Sequence, residues 1–278
     1  MLSQQQPTEK AKLRKAPRAR LTAMTAAAIA TCALVVGCGS SKSSTTTHSS
    51  SQSPSSNASS AIKPTVFAAA SLTKVFPMID PNAKYTFGGS DALQMQIEQG
   101  AAADVFAAAS PKQPAALYEK KLVDKPVEFA TNRLVLVVPK NNPAHITSVN
   151  DITKPGVKLV ICEAAVPCGD YARKAFENLG ITHAAMKNVV GQTTDVTQTV
   201  AQIATGQGDA GFVYITDAKS AGGKVKVIEL PAKAKPHTVD VIAVVKSGKD
   251  QSAAQAFVKK VLSPQGQAKL QAAGFGKP

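Results

Sequence analysis

Tryptophan is absent from the 278-residue sequence, and aromatic residues make up only 5% of it. A surface that stacks the bases of single-stranded nucleic acid needs several exposed rings, so no nucleic-acid partner is expected despite a net charge of +14. Histidine is scarce too. His48, His145, His183 and His237 stand far apart and lack metal-ligand spacing. No phosphate-binding Walker loop, G-x-S-x-G elbow or zinc signature occurs. The sequence therefore reads as a non-enzyme without a metal bound directly by protein side chains and without a cofactor. An anchored extracytoplasmic enzyme is the disfavoured alternative.

The longest charge-free apolar run, Leu21 to Val36, is too short and too rich in Ala and Thr to span a bilayer comfortably. It follows six basic residues between Lys10 and Arg20 that are opposed only by Glu9. A basic segment followed by a short apolar one reads as a secretory signal over residues 1–37. The run ends in Val35-Val36-Gly37-Cys38, which resembles the lipobox of bacterial lipoproteins. That resemblance implies a mature chain beginning at a lipid-modified Cys38, anchored to the cell membrane on its extracytoplasmic side.

Residues 39–63, GSSKSSTTTHSSSQSPSSNASSAIK, are almost wholly small and polar. Such a segment cannot bury enough surface to offset its ordering entropy. Residues 38–63 are thus expected to be a disordered tether, whose 25 residues after Cys38 span about 25–30 Å. The +9 left outside the signal is scattered and reads as a solvated basic surface. Four cysteines occur. Cys32 leaves with the signal and Cys38 takes the lipid, so Cys162 and Cys168 remain as an even pair in an oxidising compartment, where a disulfide is expected.

From Pro64 onward, short apolar runs alternate with helical patterns. TVFAAA (65–70), AKYTF (83–87), ADVFAAA (103–109), RLVLVVPK (133–140), VKLVICE (157–163), KNVVG (187–191), DAGFVYITDA (209–218) and HTVDVIAVVK (237–246) read as strands. Helices are expected from Ser71 as N-cap, at 91–99, from about 112, at 169–179, 195–205, 251–262 and 264–272. The alternation predicts an α/β fold of two lobes, each a mainly parallel sheet flanked by helices, with a ligand cleft between them. The first lobe is assigned to 64–130 plus 241–278 and the second to 131–240.

Ligands of open α/β sheets bind outside the carboxyl ends of strands. Small or hydroxyl residues sit at several such ends here: Ser71, Gly89-Ser90, Cys168-Gly169 and Thr194-Asp195-Val196. Facing one another across a cleft, they would form a cage of neutral donors for an anion. By composition alone, any single junction is better explained as an ordinary helix cap.

VFAAASLT (66–73), FGGSDAL (87–93), QIEQGAAADVF (96–106), NRLVLVVP (132–139), GFVYITDA (211–218) and LSPQGQ (262–267) resemble, in order and spacing, the periplasmic molybdate-binding proteins of ABC transporters. The resemblance covers residues 64–278. It implies the type II solute-binding fold, molybdate or tungstate as the ligand and an ABC permease as the partner. A monomer is expected. Binding proteins for sulfate or phosphate remain the alternative.

The family's ligand positions fall on the side chains of Ser71 and Ser90, the main-chain N–H groups of Cys168 and Val196, and the hydroxyl of Tyr214. Tyr214 comes from the resemblance alone. By its residues it reads as a half-buried strand aromatic. The short segment between Ser71 and Tyr85 implies a truncated first helix, and Gly88-Gly89 replaces the family's Ser-rich turn. Asp91, Asp170 and Asp195 are read as caps or first-turn charges directed away from the ligand.

If Cys38 carries the lipid, Cys38→Ser should move the protein from the membrane to the soluble fraction, as read by cell fractionation. Two equally membrane-bound, unprocessed forms would point to an uncleaved anchor instead.

Overall fold

The computed structural model describes residues 63–278. The signal, the lipidated Cys38 and all but the last residue of the tether lie outside them. The described chain contains two five-stranded sheets. The first is built from β1 (Thr65–Ala69), β2 (Lys84–Gly88), β3 (Val105–Ala108), β4 (Val127–Asn132) and β10 (Thr238–Val244), in the order β2-β1-β3-β10-β4. The second contains β5 (Leu134–Pro139), β6 (Leu159–Cys162), β7 (Val189–Thr193), β8 (Ala210–Tyr214) and β9 (Val225–Ile228), in the order β7-β6-β8-β5-β9.

The two sheets follow one plan. Three neighbouring strands run parallel, and the strand beyond them is antiparallel to both of its neighbours. In the first sheet that strand is β10, and in the second it is β5. These are the strands that the chain enters when it crosses between sheets, after β4 and again after the 229–237 segment. β1, β3, β6, β8 and β10 are buried almost throughout, as expected of strands covered on both faces.

Flanking helices are α1 (Phe76–Ile79), α2 (Ser90–Glu98), α3 (Lys112–Glu119), α4 (Pro167–Leu179), α5 (Thr182–Lys187), α6 (Val196–Ala204), α7 (Ile215–Ser220), α8 (Gln251–Leu262) and α9 (Pro264–Ala273). No described helix is long and apolar enough to cross a membrane.

Three sequence expectations need correction. Ser71 is not a helix N-cap: it lies inside a single 3-10 turn, Ala70–Leu72, without a side-chain cap bond. The helix after it is short because few residues separate β1 from β2 and Pro77 sets its first turn. α4 begins at Pro167, two residues before Gly169, because proline fits the first helical turn, where the missing N–H costs nothing. Finally, β4 and β9 were not expected. Each exposes two of its residues and buries only a short apolar stretch, too little to set a period.

Phe76 holds the four-residue α1 in place. It is fully buried, and its ring centroid lies 6.4, 5.8 and 5.5 Å from those of Tyr85, Phe129 and Phe257. Those residues belong to β2, β4 and α8, so one ring ties three elements together. Phe76→Ala should therefore destabilise the protein by about 3–5 kcal/mol in denaturant unfolding. A loss below about 1 kcal/mol would mean that the cluster repacks around the gap.

Candidate functional site

One cavity lies between the carboxyl ends of the parallel strands of the two sheets. Ala69, Ala70 and Ser71 follow β1, Gly88-Gly89-Ser90 follow β2, and Ala109 follows β3. Across from them stand Val166-Pro167-Cys168 after β6, Asp195-Val196 after β7 and Tyr214 at the end of β8. The shared sheet plan thus delivers three junctions from each lobe to one point. The empty space among these residues, counting what opens to solvent, is about 220 Å³.

All five positions singled out in the sequence line this cavity. Ser71 and Ser90 are buried at 7% and 1% exposure, and Tyr214 at 1%. The Ser71 and Tyr214 hydroxyl oxygens have no hydrogen-bond partner. Ser90 Oγ accepts the Ala109 N–H at 3.2 Å, which leaves its own proton free to donate. Burial, with Asp240 and Tyr171 nearby, pushes the Tyr214 phenol well above its ordinary pKa, so it stays a donor. Cys168 and Val196 occupy the first turns of α4 and α6, where main-chain N–H groups have no intrahelical acceptor and the helix dipole favours negative charge.

The acids nearby are engaged elsewhere. The Asp195 carboxylate accepts the Gln198 N–H and side-chain amide at 3.0 and 2.8 Å. Asp170 pairs with Lys174 at 2.8 Å. Asp91 is the exception to the expected capping role, since one of its carboxylate oxygens is buried without a partner. No Lys, Arg or His lines the cavity. Among the described residues no cluster of His, Cys, Asp and Glu could hold a metal ion.

A rigid backing fixes the Cys168 turn. Cys162 and Cys168 are joined as a disulfide, with Cα atoms 5.8 Å apart. Arg173 donates to the carbonyls of Cys162 and Gly169 at 3.1 and 3.0 Å. A Cβ at Gly169 would collide with the Cys162 and Glu163 carbonyls, so only glycine lets α4 start this close to β6.

The lobes touch at Gly89. A Cβ there would strike the Thr194 carbonyl oxygen of the opposite lobe. The Gln113 amide also reaches the Ala165 carbonyl across the cleft at 3.4 Å. Sequence reasoning missed Gly89's role, because a glycine before a helix reads simply as a turn.

A two-lobed α/β chain whose strand ends enclose a small, cation-free cage of donors has the architecture of a ligand-binding protein. The chain belongs to the bacterial extracellular solute-binding proteins, whose family model matches residues 64–276. The molybdate-binding protein ModA of Mycobacterium tuberculosis is 38% identical over 223 residues, 77% of this chain and 84% of that protein. YvgL of Bacillus subtilis, assigned as an ABC transporter substrate-binding lipoprotein, is 30% identical over 267 residues, 90% of this chain and 95% of its own. Among solved structures, the substrate-binding domain assigned to a molybdenum ABC transporter of Clostridium difficile is 32% identical. It superposes with a TM-score of 0.57 over 78% of this chain and 99% of its own.

The Gly89 contact makes closure sensitive to a single methyl group. Gly89→Ala should widen the cleft, which a crystal structure or small-angle scattering alongside wild type would show. An unchanged separation of residue 89 from the Thr194 carbonyl would contradict this.

Proposed function

We propose that the protein binds molybdate, and tungstate equally, on the outer side of the cell membrane and delivers it to an ABC importer permease. The observation that carries this reading is the pair of buried, unpartnered hydroxyls of Ser71 and Tyr214, aimed with Ser90 and two helix starts into a cavity without a cation. Buried polar groups without partners are costly, and an anion supplies the acceptors these donors lack. Helix N-termini and hydroxyls can hold a dianion without a full countercharge.

The donor set also selects. Phosphate near neutral pH retains a proton and needs an acceptor, and these five groups offer it no carboxylate or carbonyl, only hydroxyl oxygens whose protons serve the anion. A smaller sulfate tetrahedron cannot touch all of them together. Molybdate and tungstate are near-equal in size, so the cage does not separate them. The names of the M. tuberculosis and C. difficile relatives support the same ligand class.

Nothing in this chemistry transforms the ligand, so we read the chain as a carrier and not an enzyme, acting as a monomer. The Val35-Val36-Gly37-Cys38 box and the B. subtilis relative's assignment support a lipid anchor at Cys38. The first lobe, whose sheet runs through Asn132 and resumes at Thr238, would contribute Ser71 and Ser90. The second, between those two points, would contribute Cys168, Val196 and Tyr214. A ligand held by both lobes favours the closed form, which a permease can recognise.

Tyr214→Phe and Ser71→Ala each remove one donor to a charged ligand, a loss of about 1.5–3 kcal/mol, or about ten- to a hundredfold in affinity. Calorimetric titration with molybdate should show that weakening with the fold intact. Unchanged affinity in both variants would overturn the assignment of the site.

A further inference from the structure

The seam between the lobes holds a buried acid that the cage does not use. Asp240 lies on β10 of the first sheet, opposite Ala130, at the bulge where pairing with β4 shifts. It is fully inaccessible, and neither carboxylate oxygen has a hydrogen-bond partner.

Three groups of the second-sheet unit act on it or feel its charge: Asp217 of α7, Tyr171 of α4 and Tyr214 of β8. The Tyr171 hydroxyl is within reach of the Ser110 side chain and the Val239 main chain, and its ring meets that of Tyr214 edge-on at 6.5 Å. Lys174 of α4 lies over the Tyr171 ring at 5.4 Å, but its ammonium pairs with Asp170 at 2.8 Å and does not bond to Asp240. β3 has no ionisable residue. Glu128 of β4, Lys112 and Glu119 of α3, and Lys259 and Lys260 of α8 are all surface side chains. His237, just before β10, is exposed.

An ionised carboxylate without a cation or an N–H donor is among the least tolerable groups a protein interior can hold. Here a second acid, Asp217, and a bound dianion would add like charge. β10 packs against β3, β4, α3 and α8 of its own sheet, and beside Asp240 the Asn132 amide, opposite Thr238, donates to the Thr216 hydroxyl of α7 at 3.1 Å, so the acid stands where the two sheet units meet.

We propose that the protein binds its anion together with a proton, which passes from solvent to the Asp240 carboxylate as the lobes close. This rests on the anion-binding reading above. Burial, and secondarily Asp217, push the Asp240 carboxyl well above the usual carboxylate range, in keeping with a neutral acid in the closed form. The arrangement ties anion affinity to pH. Binding weakens as pH rises, because the open form surrenders the proton that the closed form requires. Asp217 is the competing proton site, with its carboxyl pushed up to about 7 by burial. Unlike Asp240, it keeps a hydrogen bond, from the Tyr214 N–H at 3.2 Å.

The test is calorimetric titration of wild type and D240N with molybdate, between about pH 6.5 and 8.5, in buffers of different ionisation heat. Wild type should take up a proton and lose affinity with rising pH, by at most about tenfold per unit. D240N should bind with no proton exchanged and a flat profile. Zero uptake in wild type, or equal uptake in D240N, overturns the inference, and the latter result moves the proton to Asp217.

If molybdate gives no heat at all, the ligand assignment falls, and melting of the anion-free protein decides Asp240 separately. A folded-state pKa raised above the unfolded one stabilises the protein at low pH, and that stability is lost as pH rises through the folded value. Wild type should then lose melting temperature with rising pH relative to D240N. Parallel curves would show that Asp240 holds no such proton.

Discussion

At the proposed site a dianion must be enclosed away from water without a cation, and the rest of the structure is arranged around that constraint. Each donor must be neutral, aimed inward and free of any competing acceptor. Helix starts meet those conditions through main-chain N–H groups that their own helices leave unpaired, as at Cys168 and Val196. Buried hydroxyls meet them when their surroundings offer nothing else to bond, as at Ser71 and Tyr214. Ser90 shows a third solution: its oxygen is occupied by the Ala109 N–H, so only its proton is left to give. Charged side chains nearby are turned to other work, Asp195 to capping α6 and Asp170 to pairing with Lys174.

The fold supplies that geometry twice. In each sheet, three parallel strands end on the same edge, and each end turns directly into a tight turn or helix. Between the sheets, the antiparallel strands β5 and β10 carry the chain across, so the two edges face each other about a pair of short connections. Closeness then depends on small residues at the contact points. Gly89 meets the Thr194 carbonyl, and Gly169 allows α4 to abut the end of β6 behind the Cys162–Cys168 disulfide. In this arrangement a methyl group is a large perturbation, because packed interiors have no spare volume.

Much of this was legible in the sequence, for identifiable reasons. The buried strands wrote themselves as unbroken apolar runs such as LVLVVP and VFAAA. Strand ends followed by Ser, Gly or Thr marked the junctions that the structure brings together. Tyr214 was legible only through resemblance, because a tyrosine closing an apolar strand looks like any half-buried aromatic. β4 and β9 escaped because neither buries enough residues to reveal a period. Asp240 was hidden inside HTVDVIAVVK, where alternation suggested a polar residue facing water. The strand is buried along its whole length because it lies between β3 and β4 with α3 and α8 packed against it.

The central claim is that five neutral donors select an unprotonated tetrahedral dianion by size. Calorimetric titration of one wild-type preparation against molybdate, tungstate, sulfate and phosphate tests it most directly. The account predicts tight, near-equal binding of molybdate and tungstate, much weaker sulfate and no saturable phosphate binding. Sulfate or phosphate binding more tightly than molybdate would contradict it, even with the fold unchanged.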